Sequence, residues 1–241
     1  MSSDYTRLVA DIGGTNARFA VFHEEDDTPR EVIKLATADF PDLVAATHAY
    51  MQQLGTATPK TMCVAVAGPV NSDRIALTNN AWSFSASDIR RRLELDTLRI
   101  INDFEAMAWA ITRARPGDCE QLGGKAAAAG KPVAIIGPGT GFGAAQLVYD
   151  SRGQAIALPT EGGYATLAPA NTRELAVFAW LLQQGIFPCR EHLLSGNGLE
   201  TLYRALTAID QLSRDPLPAA SIQHSAIDGG DPHTREALTL F

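Results

Sequence analysis

The sequence predicts an α/β protein of two domains, and three observations support this prediction. Strand-like apolar runs alternate with helix-like segments along the chain. Two glycine-rich hairpin sequences occur, one near Gly13 and one near Gly139. The 241 residues are 46% hydrophobic, which is enough to bury a core in one or two domains. We place the boundary near residue 112, so that the N-terminal domain spans 1–112 and a larger α/β domain spans 113–241.

The first hairpin runs along a strand to Asp11, turns through glycines and returns along Phe19–Phe22. Because glycine has no Cβ, the turn can approach a ligand closely, and its successive N–H groups favour an anion. We therefore expect a phosphate-binding turn, although an ordinary tight hairpin would also explain this segment alone. The expected contacts come from Gly13, Gly14, Thr15 and Asn16. Asp11 would repel a phosphate unless a cation lay between them, so we assign Asp11 to the Mg²⁺ side of the site, acting indirectly.

The second hairpin repeats this pattern. The apolar run Val133–Ile136 leads into a turn made of Gly139, Thr140 and Gly141, and a second apolar run ends at Tyr149. Two copies indicate two related half-structures whose phosphate turns could face each other across a cleft. A dinucleotide fingerprint is excluded because its glycines open a helix, whereas here the glycines lead into a strand-like run. A P-loop is excluded because Gly123-Gly124-Lys125-Ala126 lacks both the first glycine and the hydroxyl of that motif.

Cap and breaker residues set the remaining elements. In chain order we expect a helix from Asp42 to Leu54, a strand Thr61–Val66, a helix capped by Ser87 and ending near Glu94, and a strand Leu98–Ile101 followed by a helix through Arg115. Further along we expect a helix from Asn171 to Gly185, with a core face of Leu175, Phe178, Ala179 and Leu182, and a helix beginning at Asp231.

Asp103 is the candidate catalytic residue. It stands where a strand ends and a helix begins, and ligands of open α/β sheets gather outside the carboxyl ends of strands. A helix N-cap is the alternative role for an Asp at this position. The helix N-terminus is expected to keep Asp103 ionised and therefore a weak base.

Carboxylates and amides on turns can bind the hydroxyl groups of a small ligand, because hydrogen bonds to charged groups are strong. Each such residue alone is more often a solvated surface group. The candidates are Asn80, Asn102, Asp103, Glu161 and Glu191. Arg18 could contact phosphate or pair with an acid.

The composition disfavours large anionic partners. A net charge of −7 argues against nucleic acid and against an anionic membrane surface. The sequence shows neither a signal peptide nor an apolar run long enough for a membrane span, and its three cysteines are widely spaced. We therefore expect a cytoplasmic protein with a small-molecule substrate and no structural metal.

Seven motifs in order give the chain a resemblance to the bacterial glucokinases, which belong to the hexokinase-like, actin-type ATPases. They are D-I-G-G-T-N-A-R from Asp11, A-G-P-V from Ala67, L-T-N-N-x-W from Leu77, I-N-D-F-E-A from Ile101, G-T-G-F-G from Gly139, E-G-G from Glu161 and L-S-G-x-G-L from Leu194. The resemblance implies a two-domain, ribonuclease H-like fold and ATP- and Mg²⁺-dependent phosphorylation of glucose to glucose 6-phosphate, the first step of glycolysis. It also implies a homodimer, with Asn102 as a sugar ligand and Asp103 as the catalytic base.

The sequence departs from the family pattern at two places. Tyr164 stands where the family has a sugar-binding His after E-G-G. The chain also stops at Phe241, before the family's adenosine-binding segment, so we expect an incomplete second domain. These departures leave two alternatives open: a catalytically weak sugar-binding or regulatory relative, and a kinase of another hexose or of an amino sugar.

Overall fold

The structure is a computed structural model that describes residues 5–24, 28–77, 82–115, 117–125 and 128–241. The chain divides into two compact units, residues 1–113 and 114–241, and each is described by itself. Among the described residues, none of the helices combines the length and the apolar composition that a membrane crossing requires.

Unit 1 is built around a five-stranded sheet. Its elements are β1 (Arg7–Ile12), β2 (Asn16–Phe22), β3 (Arg30–Ala36), α1 (Leu43–Leu54), β4 (Thr61–Val66), β5 (Arg74–Ala76), β6 (Ser83–Ser85), α2 (Ala86–Arg92), β7 (Thr97–Asn102) and α3 (Asp103–Ile111). The sheet order is β3-β2-β1-β4-β7, and β5 pairs with β6 separately. The strands β1, β4 and β7 are parallel, whereas β2 and β3 form an antiparallel meander with β1.

The sheet register aligns the ends of the three parallel strands. Ile12, Val66 and Asn102 lie side by side in one row. The residues that follow each strand therefore emerge at the same edge of the sheet, which is where ligands of such sheets bind. This row places the first glycine turn and Asp103 at one edge of unit 1.

Two predicted helix limits in unit 1 are wrong. Ser85, and not Ser87, caps α2, because its Oγ accepts the N–H of Asp88 at 3.2 Å. The N–H of Ser87 instead donates to Asp73, which sequence reasoning could not place beside this helix. The helix α3 ends at Ile111 rather than Arg115, and the Thr112 hydroxyl donates to the Trp109 carbonyl at 2.7 Å at that end.

Unit 2 combines a small antiparallel sheet with a cluster of helices. Its elements are β8 (Val133–Pro138), β9 (Phe142–Tyr149), β10 (Ala155–Thr160), α4 (Thr172–Gln183), α5 (Arg190–Leu193), α6 (Gly196–Ile209), α7 (Ala219–Ile227) and α8 (Pro232–Leu240). The sheet order is β10-β9-β8.

The two glycine hairpins repeat one design. Each is the first hairpin of a three-stranded antiparallel meander, and each turn has three residues between its strands. In each hairpin the N–H of the first turn glycine donates to a nearby backbone carbonyl of the same hairpin. Gly13 donates to the Asn16 carbonyl at 2.9 Å, and Gly139 donates to the Gly141 carbonyl at 2.8 Å. Two residues before the turn, the first hairpin has Asp11 and the second has Gly137. Only the first hairpin therefore offers a carboxylate at that position.

The predicted core face of α4 is confirmed for Phe178, which packs against the helical core, and wrong for Leu175, Ala179 and Leu182, which are exposed. Val177 and Leu181 are buried in the helical core, whereas Leu175 and Leu182 are 56% and 61% exposed. The helix is apolar on more than one side, so periodicity alone could not choose the face. Packing of α4 against α6 chooses it.

Ion pairs centred on Arg173 join three of these helices. Its guanidinium donates to both Asp210 carboxylate oxygens at 2.7 Å and to both Glu236 oxygens at 2.7 and 2.9 Å. His233 Nε2 lies 2.9 Å from Asp210. Asp210, His233 and Glu236 offer atoms within 4.8 Å of one another, a spacing that a metal ion could use. Because Arg173 already donates two hydrogen bonds to each carboxylate, we interpret this cluster as a structural ion-pair network.

Candidate active site

The first glycine turn is held from behind by a buried threonine. The Thr37 hydroxyl donates to the Gly14 carbonyl at 3.2 Å, and the Thr37 N–H donates to the Thr15 carbonyl at 3.1 Å. The Asn16 amide donates to the Thr15 hydroxyl at 2.8 Å. The carbonyls of Gly14 and Thr15 are therefore occupied, which fixes the backbone that is expected to meet a phosphate.

Asp11 pairs with Arg18 across the same hairpin. The two residues are register partners on β1 and β2, and Arg18 Nη1 lies 3.1 Å from Asp11 Oδ2. Both side chains are more than half exposed, so the pair stabilises the fold little. Its effect is to hold the Asp11 carboxylate beside the turn, with Oδ1 not used in this pair.

Asn102, and not Asp103, is the N-cap of α3. Its Oδ1 accepts the N–H groups of Phe104 at 2.9 Å and Glu105 at 3.2 Å, while its Nδ2 donates to the Gly68 carbonyl at 3.1 Å. The amide oxygen of Asn102 is thus occupied, and its contribution to a ligand would come from the second Nδ2 proton. Because Asn102 carries the cap, the alternative interpretation of Asp103 as the helix cap is wrong.

Asp103 is the first residue of α3, and its carboxyl group has a raised pKa. Burial is the main cause, and the negative charge of Asp11 adds to it, whereas the Phe104 N–H that donates to Asp103 at 2.9 Å opposes it. The expectation that the helix N-terminus dominates is therefore wrong, because desolvation outweighs it. Asp103 is a stronger base than an ordinary aspartate, and proton transfer benefits from such a shift.

In unit 2, the second glycine turn is bound to the start of α6. The Gly196 N–H donates to the Gly139 carbonyl at 2.8 Å. Ser195 caps α6, since its Oγ accepts the Gly198 N–H at 3.0 Å, and its hydroxyl donates to the Glu191 carbonyl at 2.7 Å. The L-S-G motif therefore connects the turn to the segment that carries Glu191.

The E-G-G-Y segment packs against the same turn. A Cβ on Gly163 would lie 2.3 Å from the Phe142 carbonyl oxygen, so only glycine allows this approach. Arg190 fixes the segment from the other side, because its Nη1 donates to the Gly162 carbonyl at 3.0 Å. Glu161 itself is exposed.

Glu191 interacts with Tyr164 and with the residue that follows the turn. Glu191 Oε2 accepts the backbone N–H of Phe142 at 3.3 Å. A hydrogen bond to Glu191 is the main cause that raises the pKa of the Tyr164 phenol, and the charges of Glu191 and Glu161 contribute as well. Two carboxylates and a phenol therefore lie near one another in this part of unit 2, and such groups can bind the hydroxyls of a ligand.

The predicted residues that the structure describes form two groups, one in each unit. Unit 1 brings Asp11, Asn102 and Asp103 to one sheet edge with the first turn, and unit 2 brings Glu161, Tyr164 and Glu191 to the second turn. Asn80 lies outside the described residues. Sequence reasoning missed Thr37 and Arg190, which hold the turns in place. Arg190 could have been found as the neighbour of Glu191, whereas nothing in the sequence pattern pointed to Thr37.

Comparison with known proteins agrees with this fold. The family model described as Glucokinase matches residues 8–241. The glucokinase of Tolumonas auensis is 39% identical over 234 residues, which cover 97% of this chain and 72% of that protein. The glucokinase of Chromobacterium violaceum is 38% identical over 237 residues, covering 98% and 68%. The crystal structure of glucokinase from an Antarctic psychrotroph is 33% identical with a TM-score of 0.85, covering 98% of this chain and 74% of that one.

The fold and the two glycine hairpins define the class: this is an α/β hexose kinase of the actin-like ATPase fold. Within that class, the chain belongs to the glucokinase family.

Proposed function

We propose that this chain transfers the γ-phosphoryl group of ATP to the primary hydroxyl of glucose, with Asp103 as the general base. The observation that carries the proposal is the position of Asp103, which follows β7 beside the first glycine turn, is relieved of capping by Asn102 and has a raised pKa. Membership of the glucokinase family supplies the substrates.

Asp103 accepts the proton of the sugar hydroxyl as the hydroxyl oxygen forms its bond to the γ-phosphorus. The bond from that phosphorus to the bridging oxygen breaks, and ADP leaves. Because the transition state of phosphoryl transfer is loose, the base mainly orients the hydroxyl and accepts its proton late. Oδ2 of Asp103 performs this role best, since Oδ1 accepts the Phe104 N–H.

Phosphate contacts come from the backbone of the two turns. The residues are Gly13, Gly14, Thr15 and Asn16 in the first turn and Gly139, Thr140 and Gly141 in the second. The N–H groups of the other turn residues suit phosphate oxygens because they form an anion-binding concavity. Gly13 and Gly139, whose N–H groups already donate inside their own hairpins, contribute by letting the backbone approach a phosphate closely.

Asp11 fits an indirect Mg²⁺ role. Its carboxylate is half exposed, and Arg18 occupies only Oδ2. Such a group suits Mg²⁺, which retains several of its waters when bound. When bound, Mg²⁺ would neutralise phosphate charge. The Asp11 carboxylate would hold the ion's water ligands, and Arg18 would hold that carboxylate in place.

Sugar hydroxyls bind to polar side chains that the two units contribute. Glu161 and Glu191 accept hydrogen bonds, Asn102 donates one, and Tyr164 can do either. Asn80 is also proposed as a sugar ligand from its motif. A homodimer, a cytoplasmic location and the lack of nucleic-acid or membrane partners stay predictions.

A coupled kinase assay with a panel of hexoses and amino sugars tests the proposal. We expect glucose with ATP and Mg²⁺ to give the highest kcat/KM of the panel. Glucose binding measured by calorimetry without turnover of any sugar would instead support a sugar-binding regulatory protein. Faster turnover of another sugar would instead support a kinase of another hexose or of an amino sugar.

A further inference from the structure

The Glu191 side chain lies in the space that a side chain on Gly141 would need. A Cβ built on Gly141 would be 2.8 Å from Glu191 Oε2 and 3.3 Å from its carboxyl carbon. At the corresponding third position of the first turn the residue is Thr15, which carries a side chain. The second turn thus has glycine at the position where Glu191 packs against it.

Contacts on several sides fix this carboxylate. The Phe142 N–H, which directly follows the turn, donates to Oε2 at 3.3 Å. The Glu191 carboxylate also raises the pKa of the neighbouring Tyr164 phenol. At the main chain, the Ser195 hydroxyl donates to the Glu191 carbonyl, and the Arg190 N–H donates to the Ala165 carbonyl at 3.2 Å.

We propose that Gly141 is a positioning residue for the sugar: its missing side chain lets Glu191 rest on the glycine turn, and the turn thereby aims the remaining carboxylate oxygen at a sugar hydroxyl. This inference rests on the proposed function, in which Glu191 binds the sugar. A glutamate has several rotatable bonds, and restricting them when a ligand binds costs free energy. Anchoring Oε2 on the turn removes part of that cost before the sugar arrives.

One consequence is specific to this arrangement. The second turn is expected to bind phosphate, and through Glu191 it also determines the affinity for the sugar. Gly141 has this effect although it has no side chain that could contact the sugar. A methyl group at position 141 should displace the flexible end of Glu191 and leave the turn backbone in place, because the clash is with a side chain.

Gly141→Ala and a matched control on the same turn test the inference. In Gly139→Ala the added Cβ would have its nearest neighbour at 3.9 Å, the Gly141 carbonyl oxygen, so Glu191 is not touched. Glucose binding is measured by isothermal titration calorimetry without nucleotide. We expect the glucose Kd to rise about tenfold in Gly141→Ala, as for loss of a hydrogen bond to a charged group, and to change less than about twofold in Gly139→Ala.

A double-mutant cycle shows whether the effect passes through Glu191. Glu191→Ala alone should weaken glucose binding, and adding Gly141→Ala should change the Kd by less than about twofold more. Thermal unfolding verifies that each variant is folded. If Gly141→Ala does not fold, Glu191→Asp replaces it: the shorter side chain keeps the charge but cannot reach the turn, and its glucose Kd should rise by a similar factor.

The outcomes distinguish failure of the proposed function from failure of the role assigned to Gly141. Wild-type protein that does not bind glucose would overturn the proposed function and this inference with it. Normal glucose binding by wild type and by Gly141→Ala, or additive effects in the cycle, would overturn the inference alone.

Discussion

Replacing Asp103 by Asn should separate activity from stability. Asn keeps an oxygen that can accept the Phe104 N–H, so the contact at 2.9 Å survives. It cannot accept a proton from the sugar. Loss of a general base lowers kcat by about 10²–10⁴, which corresponds to about 2.7–5.4 kcal/mol at about 1.36 kcal/mol per factor of ten. The glucose KM should change little, because the side chain keeps its size and its backbone contact.

The raised pKa of Asp103 sets the sign of the pH effects. A carboxyl group whose pKa is raised in the folded state stabilises the fold below its unfolded pKa, and this contribution is lost as pH rises through the folded pKa. At neutral pH the ionised, partly buried carboxylate therefore lowers the free energy of unfolding. We expect Asp103→Asn to have a Tm at pH 7 equal to or above that of wild type. In wild type, kcat/KM should fall on the acid side as Asp103 becomes protonated, and the variant should lose this acid limb.

Steady-state kinetics across pH and differential scanning calorimetry supply both measurements. Glu105→Gln is the matched control: Glu105 lies in the same first helical turn and accepts Arg99 at 2.8 Å, but it has no proposed role in the reaction. Its kcat should stay within a few-fold of wild type. A fall in kcat of tenfold or less for Asp103→Asn, or a clear drop in its Tm, would refute the assignment of Asp103 as the base.

Three further predictions concern other parts of the molecule. Asp11→Ala should weaken Mg²⁺-dependent use of ATP more than glucose binding, and equal losses in kinetics and calorimetry would indicate a folding defect instead. Tyr164→Phe should raise the glucose Kd about 2- to 13-fold, because one net hydrogen bond contributes about 0.5–1.5 kcal/mol. An unchanged Kd would exclude a role for the phenol in glucose binding. Asp210→Asn should lower the free energy of unfolding at pH 7 by about 1 kcal/mol, discounted for partial exposure, because it weakens the bond to Arg173. Because Arg173 lowers the pKa of Asp210, the wild-type contribution is present above the unfolded pKa and disappears as pH falls towards the folded one, so the two unfolding curves should converge in acid.

Local signals in the sequence were sufficient for several elements. Asp42 and Gly55 fix the ends of α1 by capping and by a φ of 65°, and both were predicted. The two glycine hairpins were also predicted, because apolar runs on either side of a glycine turn specify a hairpin through neighbours in the chain. The same local motifs carried the family resemblance, which the family match confirms.

Other features depend on residues that are distant in the chain. Asp73 accepts a hydrogen bond from the N–H of Ser87, and Ser85 is the residue that caps α2. Whether Asn102 or Asp103 capped α3 could not be decided from a sequence in which both can cap. Burial of Asp103, which raises its pKa, likewise depends on how the strands pack.

The sequence by itself determined the glycine hairpins and the chain's membership of the glucokinase family, because these depend on short-range patterns. Only the tertiary structure decided how the residues are used. It showed that Thr37 holds the first turn and that Glu191 rests on Gly141, 50 residues away by position in the chain. The physical reason is that hydrogen bonds and burial between distant segments follow from packing, and packing leaves no pattern in neighbouring residues.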